Sequence, residues 1–126
     1  MKLDKLFYQN LLTKYFLAFQ EKDLVAISEL FSDDIVLKDW VVELNGKEKV
    51  LKFNEEVFGK FETIRISFDN FFHCDSAFLI DSTHEAECNM FACPIRITLD
   101  DISLDVLDLI SFDNEGKIIS ITAYKK

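Results

Sequence analysis

Three polar side chains stand where the chain is otherwise apolar, and each is of a type that can hold or move a proton. The first is Asp108, within Leu104-Asp105-Val106-Leu107-Asp108-Leu109-Ile110-Ser111-Phe112. At the two-residue period of a strand, Leu104, Val106, Asp108, Ile110 and Phe112 share one face. An ionised carboxylate in that company costs roughly several kcal/mol unless something donates to it, so Asp108 is protonated, paired or serving a cavity. The second is Asp39, which alternation places with Ile35 and Leu37 on one face of the strand Ile35 to Trp40. The third is Tyr15, set in a stripe of Leu3, Leu6, Phe7, Leu11, Leu12, Phe16, Ala18 and Phe19 that recurs at three and four. A buried phenol in such a stripe needs a partner for its hydroxyl. Carboxyl groups in surroundings that disfavour charge, together with a phenol, are the materials of acid–base chemistry.

Positioning these groups requires a helix, a short first strand and a hairpin. The stripe through Tyr15 predicts a first helix that ends at Gln20-Glu21-Lys22-Asp23, and Asp23 caps a short second helix over Leu24 to Phe31. Ser32-Asp33-Asp34 turns the chain into the strand carrying Asp39. Gly46 ends the segment Val41 to Asn45, and Val50, Phe53, Val57, Phe58 and Phe61 mark a third helix over Lys47 to Phe61. Strands follow over Thr63 to Phe72, about Glu85 to Thr98, Ile102 to Phe112 and Lys117 to Tyr124. The last two are joined by Asp113-Asn114-Glu115-Gly116, where glycine can take positive φ. The expected fold is α+β, with three N-terminal helices on a strongly curved antiparallel or mixed sheet that forms a cone with an internal cavity. If the turn Leu99-Asp100-Asp101 pairs Ile97 with Ile102, Phe91 falls opposite Asp108, and Cys93, Ile95 and Ile97 share its face. Glu85, Glu87 and Asn89 would continue onto that face, which predicts a bulge near Cys93-Pro94 or an open rim. Phe19, Phe53, Phe61, Phe91, Cys93, Val106, Ile121 and Ala123 are the expected wall of a ligand pocket.

Composition bounds the partners. The 126 residues are read as one domain, 1–126, with 49% hydrophobic residues, 13 Phe, 3 Gly and 1 Pro, so linkers and low-complexity tracts are absent. A net charge of -9 argues against nucleic acid or an anionic membrane as partner, because both need clustered bases, and Arg65 and Arg96 are the only arginines. The first residues mix charges with apolars, unlike a signal peptide, and no apolar run reaches transmembrane length, so a cytoplasmic protein is expected. Cys74, Cys88 and Cys93 form no C-x-x-C pair and suit free thiols used in packing. With His73 and His84 as the only histidines and no Cys/His cluster, no metal is expected.

Tyr15-x7-Asp23, then Asp33-Asp34, Asp39, Gly46, and finally Leu104-Asp-Val-Leu-Asp108 with Phe112-Asp-x-x-Gly-Lys-Ile118 and Ala123-Tyr124, resemble the bacterial ketosteroid isomerases. These belong to the nuclear transport factor 2-like (SnoaL-like, cystatin-like) superfamily, and the resemblance covers essentially the whole chain, with a loosely matched middle from Phe53 to Thr98. It implies that Tyr15 and a protonated Asp108 form an oxyanion hole, that Asp39 shuttles the proton, that no cofactor is used, and that the chain forms a homodimer. The reaction implied is the shift of a double bond into conjugation with a ketone on a small hydrophobic substrate. It needs a base for the proton α to the carbonyl and donors for the dienolate oxygen. The resemblance further implies that Asp108 shares the raised pKa of the family's protonated acid. Phe31 and Asn54 stand where the family carries tyrosines that support the catalytic one, and Trp40 stands where it usually carries proline, which reshapes the pocket mouth.

From the residues alone, other readings stay open. Tyr15 also fits a core aromatic, Asp39 a surface residue at a strand end, and Asp108 a carboxylate bonded to buried hydroxyls. Asp105, on the opposite face with Leu107 and Leu109, suits solvent or a dimer interface. The superfamily also allows a non-catalytic binding or dimerisation domain, or a cyclase or dehydratase in which His73 or His84 joins Asp39.

Overall fold

A computed structural model describes residues 5–74 and 89–126, in the order α1 (Lys5–Gln20), α2 (Leu24–Leu30), β1 (Phe31–Lys38), β2 (Glu43–Asn45), α3 (Lys47–Lys60), β3 (Ile64–Phe68), β4 (Phe72–Cys74), β5 (Met90–Leu99), β6 (Ile102–Phe112) and β7 (Ile118–Lys125). The strands form one curved mixed sheet in the order β2-β1-β7-β6-β5-β3, with β4 pairing β5 beyond the end of β3. Only β1 and β7 run parallel among the described pairs. The three helices, the mixed α+β architecture and the β6–β7 hairpin agree with the expectation from sequence. His84, Glu85, Glu87 and Cys88 lie outside the described residues. Among the described residues no helix is long and apolar enough to cross a membrane, and no three His, Cys, Asp or Glu side chains are grouped to hold a metal ion.

Helix α1 buries Tyr8, Leu12, Tyr15, Phe16 and Ala18, while Leu6, Phe7 and Leu17 are exposed. The expected stripe is therefore rotated at its start. Tyr8, Leu12 and Phe16 follow one another at i+4, and Tyr15 completes the face at i+7 from Tyr8. Side-chain bonds fasten the helix to the sheet and to its neighbours. The backbone N–H of Ile66 donates to Gln20 Oε1 at 2.8 Å, and Lys22 Nζ donates to the carbonyls of Phe61 and Glu62. Asp23 caps α2, accepting from the Ala26 N–H at 3.1 Å.

Four boundaries differ from the sequence reading. Strand β1 runs Phe31–Lys38 rather than Ile35 to Trp40, so Asp39 and Trp40 lie in the turn beyond it, and its register against β7 shifts between Phe31, paired with Ile118, and Val36, paired with Ser120. The run Thr63 to Phe72 is interrupted. Phe68 pairs with Ile95 and Phe72 with Ala92, so three residues (69–71) oppose two (93–94), which is a bulge. The bulge expected near Pro94 thus sits on the neighbouring strand, where the missing proline N–H leaves no ladder bond to make. Third, the β5–β6 register is two residues from the one expected: Ile97 pairs with Leu104, Cys93 with Asp108, and Phe91 with Ile110. The cause is a two-residue turn at Asp100-Asp101, with Asp100 at φ 56° and its Oδ1 accepting from the Thr63 N–H at 2.8 Å. Fourth, Asn89 lies outside β5, which runs Met90–Leu99, while residues 85–88 of the expected strand lie outside the described residues.

Gly116 closes the β6–β7 turn at φ 83°, and a Cβ added there would lie 3.0 Å from Phe7 Cε2 and 3.5 Å from Leu11 Cδ1. Backbone strain and the clash with α1 add up, so Gly116→Ala should lower unfolding free energy by about 1–3 kcal/mol in a denaturant titration. A neutral outcome would mean that the turn adjusts without moving α1.

Candidate active site

The site is built across the sheet by register. Cys93 pairs with Asp108, Asp108 pairs with Ala123, and Lys38 pairs with Thr122 in the parallel ladder, which leaves Asp39 level with Ala123. Asp39, Ala123, Asp108 and Cys93 thus form a row on the face that α1 and α3 cover. Two strand spacings separate the backbones of the two aspartates, roughly 10 Å, which leaves room for a small ring between their side chains. Tyr15 reaches the same space from α1, among the rings of Phe16, Phe19 and Phe31 at centroid distances of 5.2, 6.2 and 6.1 Å.

Tyr15, Asp39 and Asp108 all line one apolar cavity of about 120 Å³. Phe19, Phe53, Val106, Ile121 and Ala123 line it as the sequence suggests. Phe61, Phe91 and Cys93 do not line it. Phe61 is the residue that ends α3, with the Lys60 ammonium over its ring. Phe91 packs deeper, against Tyr8 and Phe112, because the observed register moves it two residues away from Asp108. Cys93, fully buried beside Asp108, donates its thiol to the Phe91 carbonyl at 3.8 Å, and burial, with the Asp108 charge next, pushes its pKa up. A thiol so held is no nucleophile. Phe16, Leu37, Trp40, Asn54, Ile66, Ile95 and Ile97 complete the wall beyond the expected set.

Each polar group has a distinct environment. Asp108 is 7% exposed, and its carboxyl makes no hydrogen bond with any described residue. Burial raises its pKa to about 7, with the negative charge of Asp39 as the second cause. The Tyr15 hydroxyl likewise has no hydrogen-bond partner among the described residues, and burial first, then the Asp108 charge, holds it above the ordinary phenol range. It stays a donor. Asp39 is half-buried and anchored: its Oδ1 accepts from the N–H groups of Val41 at 2.7 Å and Val42 at 2.8 Å, and its own N–H donates to the Val42 carbonyl at 2.9 Å. That turn fixes the carboxylate and leaves the second oxygen without a partner among the described residues. Trp40, in the same turn, forms part of the wall while 46% exposed, and the Lys125 ammonium sits 5.5 Å from its ring centroid. Chemically, the cavity offers a proton acceptor on one side and, below about pH 7, two neutral donors on the other.

Asn54 is the polar residue that sequence spacing underrates. It is buried on α3 in the row Val50-Asn54-Phe58, and its Nδ2 has no hydrogen-bond partner among the described residues. The signal was an amide at i+4 and i−4 from two apolar residues, hidden by the stronger Phe53 and Phe61 pattern. His73, on β4, packs against Phe91 at 4.9 Å and does not line the cavity. Asp105 faces away and is paired with Arg96 (Nε to Oδ1 at 2.9 Å), a hydrogen bond that lowers its pKa. A larger concavity of about 680 Å³ is lined in part by this pair and by Leu107 and Tyr124.

No curated protein sequence matches the chain. Solved structures do. A SnoaL-like protein of unknown function from Burkholderia thailandensis superposes with a TM-score of 0.77 at 15% identity, covering 100% of this chain and 99% of that one. A protein of unknown function with a cystatin-like fold from Methylobium petroleophilum gives 0.76 at 14% identity, over 99% of this chain and 79% of that one. A protein from Kribbella flavida, provisionally named a ketosteroid isomerase, gives 0.72 at 16% identity, over 95% and 78%. At such identities the likeness establishes the nuclear transport factor 2-like, cystatin-like fold. In sequence, the SnoaL-like domain matches residues 12–121, nearly the whole chain, and by that match this protein belongs to the SnoaL-like family.

Proposed function

We propose that the protein is an isomerase of ketosteroid-isomerase type that moves a carbon–carbon double bond into conjugation with the carbonyl of a small ketone. One observation carries this reading: Tyr15 and Asp108, two buried proton-bearing groups without hydrogen-bond partners among the described residues, face the same apolar cavity as the anchored carboxylate of Asp39. Asp39 takes the proton from the carbon between the carbonyl and the double bond. The C–H electron pair moves into a dienolate, whose oxygen accepts from the Tyr15 hydroxyl and the Asp108 carboxyl. Asp39 then returns the proton to the γ carbon, so protons and electrons balance without a cofactor. Preorganised donors in an apolar site favour the dienolate more than the ketone, because negative charge develops on that oxygen.

Cavity size bears on the substrate. A cavity of about 150 Å³ lined by apolar side chains holds benzene, and about 120 Å³ is available here, with Trp40 at the wall. The substrate class is therefore a single-ring or comparable β,γ-unsaturated ketone, such as 3-cyclohexenone, rather than a four-ring skeleton. Conjugation creates ultraviolet absorbance, which provides the assay, and phenols serve as dienolate analogues. Tyr15→Phe should lower turnover by about two to three orders of magnitude, the loss of one oxyanion donor. Failure of the wild type both to isomerise such ketones and to bind phenols would remove the proposal.

A second reading has its own observation. Leu107 and Tyr124 pair on the outer face and remain exposed, at 36% and 55%. On this reading the cavity binds a small hydrophobic ligand without turnover, and the outer face joins two copies into a homodimer. Its mark would be ligand affinity unchanged in Asp39→Asn and no isomerisation by the wild type.

A further inference from the structure

The mechanism above leaves one polar group of the cavity without a task. Asn54 is 3% exposed, lines the cavity, and neither end of its amide has a hydrogen-bond partner among the described residues. Exchange of the amide oxygen and nitrogen would therefore leave it unpaired all the same. An asparagine inside a helix is a poor helix former, and a desolvated amide without a partner opposes folding further. A leucine would suit the position between Val50 and Phe58 on both counts. The fold gains nothing from this amide that the described contacts reveal.

Its location says what it can reach. Helix α3 packs on β1 and β2, whereas Tyr15 comes from α1, which packs on α2 and β3. Asn54 thus reaches the cavity from a different helix than Tyr15, although the two helices meet through Phe19 and Phe58 at 4.9 Å, and its helix is the one that packs on the strand leading to Asp39. A molecule whose carbonyl lies between Tyr15 and Asp108 presents another of its atoms to Asn54.

Building on the proposed acid–base reading of the cavity, we infer that Asn54 binds a second oxygen function of the substrate, so that the ligand class is a ring-sized unsaturated ketone bearing a hydroxyl or carbonyl remote from the one that is enolised. A primary amide both donates and accepts, so either function fits it. A buried polar group that is paired only when the correct ligand is present rejects analogues lacking that ligand atom more strongly than an apolar wall does.

The test compares ring-sized probes with one and two oxygens. Phenol, benzene-1,3-diol and benzene-1,4-diol are titrated calorimetrically into the wild type, Tyr15→Phe, Asn54→Leu and Asn54→Ala, the last a strong helix former that tolerates the position if leucine overfills it. At least one diol should bind the wild type about tenfold more tightly than phenol, as one well-made hydrogen bond provides, and the diol-to-phenol ratio should fall to about one in both variants. Diols no tighter than phenol, or a ratio that persists in both variants, overturn the role of Asn54 and leave the isomerase reading intact. Asn54-dependent diol binding that ignores Tyr15→Phe overturns the isomerase reading and leaves the polar subsite. If neither phenol nor diols bind the wild type, both readings fall.

Discussion

Asp39→Asn should lower the rate of double-bond migration by about two to four orders of magnitude while leaving the fold in place. The substitution is a clean one for a structural reason. In the native turn Asp39 Oδ1 accepts from the N–H groups of Val41 and Val42, and the carbonyl oxygen of an asparagine can accept the same two bonds. What disappears is the second carboxylate oxygen, the one left to receive a proton. Alanine at this position would remove the turn's anchor as well and confuse the two effects. Phenol affinity measured well below pH 7, where Asp108 keeps its proton in both proteins, supplies the control, because the analogue engages the donors and asks nothing of a base. Full turnover in Asp39→Asn, measured on a ketone that the wild type isomerises, would show that the proton passes elsewhere. A further consequence follows from charge. The Asp39 carboxylate is the second cause holding the Asp108 pKa up, so in Asp39→Asn the pH at which Asp108 loses its proton should move down.

Asp108→Asn should make the protein more stable at pH 8 and change it little at pH 4. A carboxyl that titrates near 4 in the unfolded chain and at about 7 in the fold binds more protons folded than unfolded across that interval. Stability therefore falls as pH rises from about 4 to about 7, and once both states are ionised the loss is on the order of 4 kcal/mol. Asparagine resembles the neutral acid in shape and does not titrate, so the variant lacks this slope. The quantity to measure is the difference in unfolding free energy between variant and wild type at several pH values, since other groups cancel in it. A gap that widens between pH 4 and 8 supports the buried, unpaired carboxyl. A constant gap would mean that Asp108 has found a partner or water. Function titrates in the same direction: the neutral acid is the donor, so wild-type affinity for phenols should decline as pH passes about 7. Stability and donor strength are thus lost together, which ties the buried charge at Asp108 to the role proposed for it.

Much of this protein is legible along the chain, and the reason is locality. Alternation in Leu104 to Phe112 is enough to put Asp108 on the apolar face of a strand, and Asp113 to Gly116 is enough to turn that strand back, because each depends on neighbours within a few residues. The cap at Asp23 and the break at Gly46 are local in the same sense. Helix α1 is harder, since Leu6, Phe7, Leu11 and Leu12 are apolar on more than one side. Only packing of Tyr8 against Phe91 and Phe112 chooses which side is buried.

Questions of register and pairing lie beyond the reach of spacing. Whether Phe91 or Cys93 faces Asp108 turns on a two-residue hairpin held by Asp100 to Thr63, residues 37 apart in sequence. Tyr15, Asp39 and Asp108 meet because β1 runs parallel to β7 and brings Asp39 level with Ala123, a long-range pairing that no local pattern encodes. The unpaired amide of Asn54 is knowable only once every surrounding group is in place, because a missing partner is a property of the whole shell. Local sequence thus settles which side chains are polar on apolar faces. Long-range pairing settles which of them share a cavity, and the low polarity of that cavity then determines which of them keep their protons.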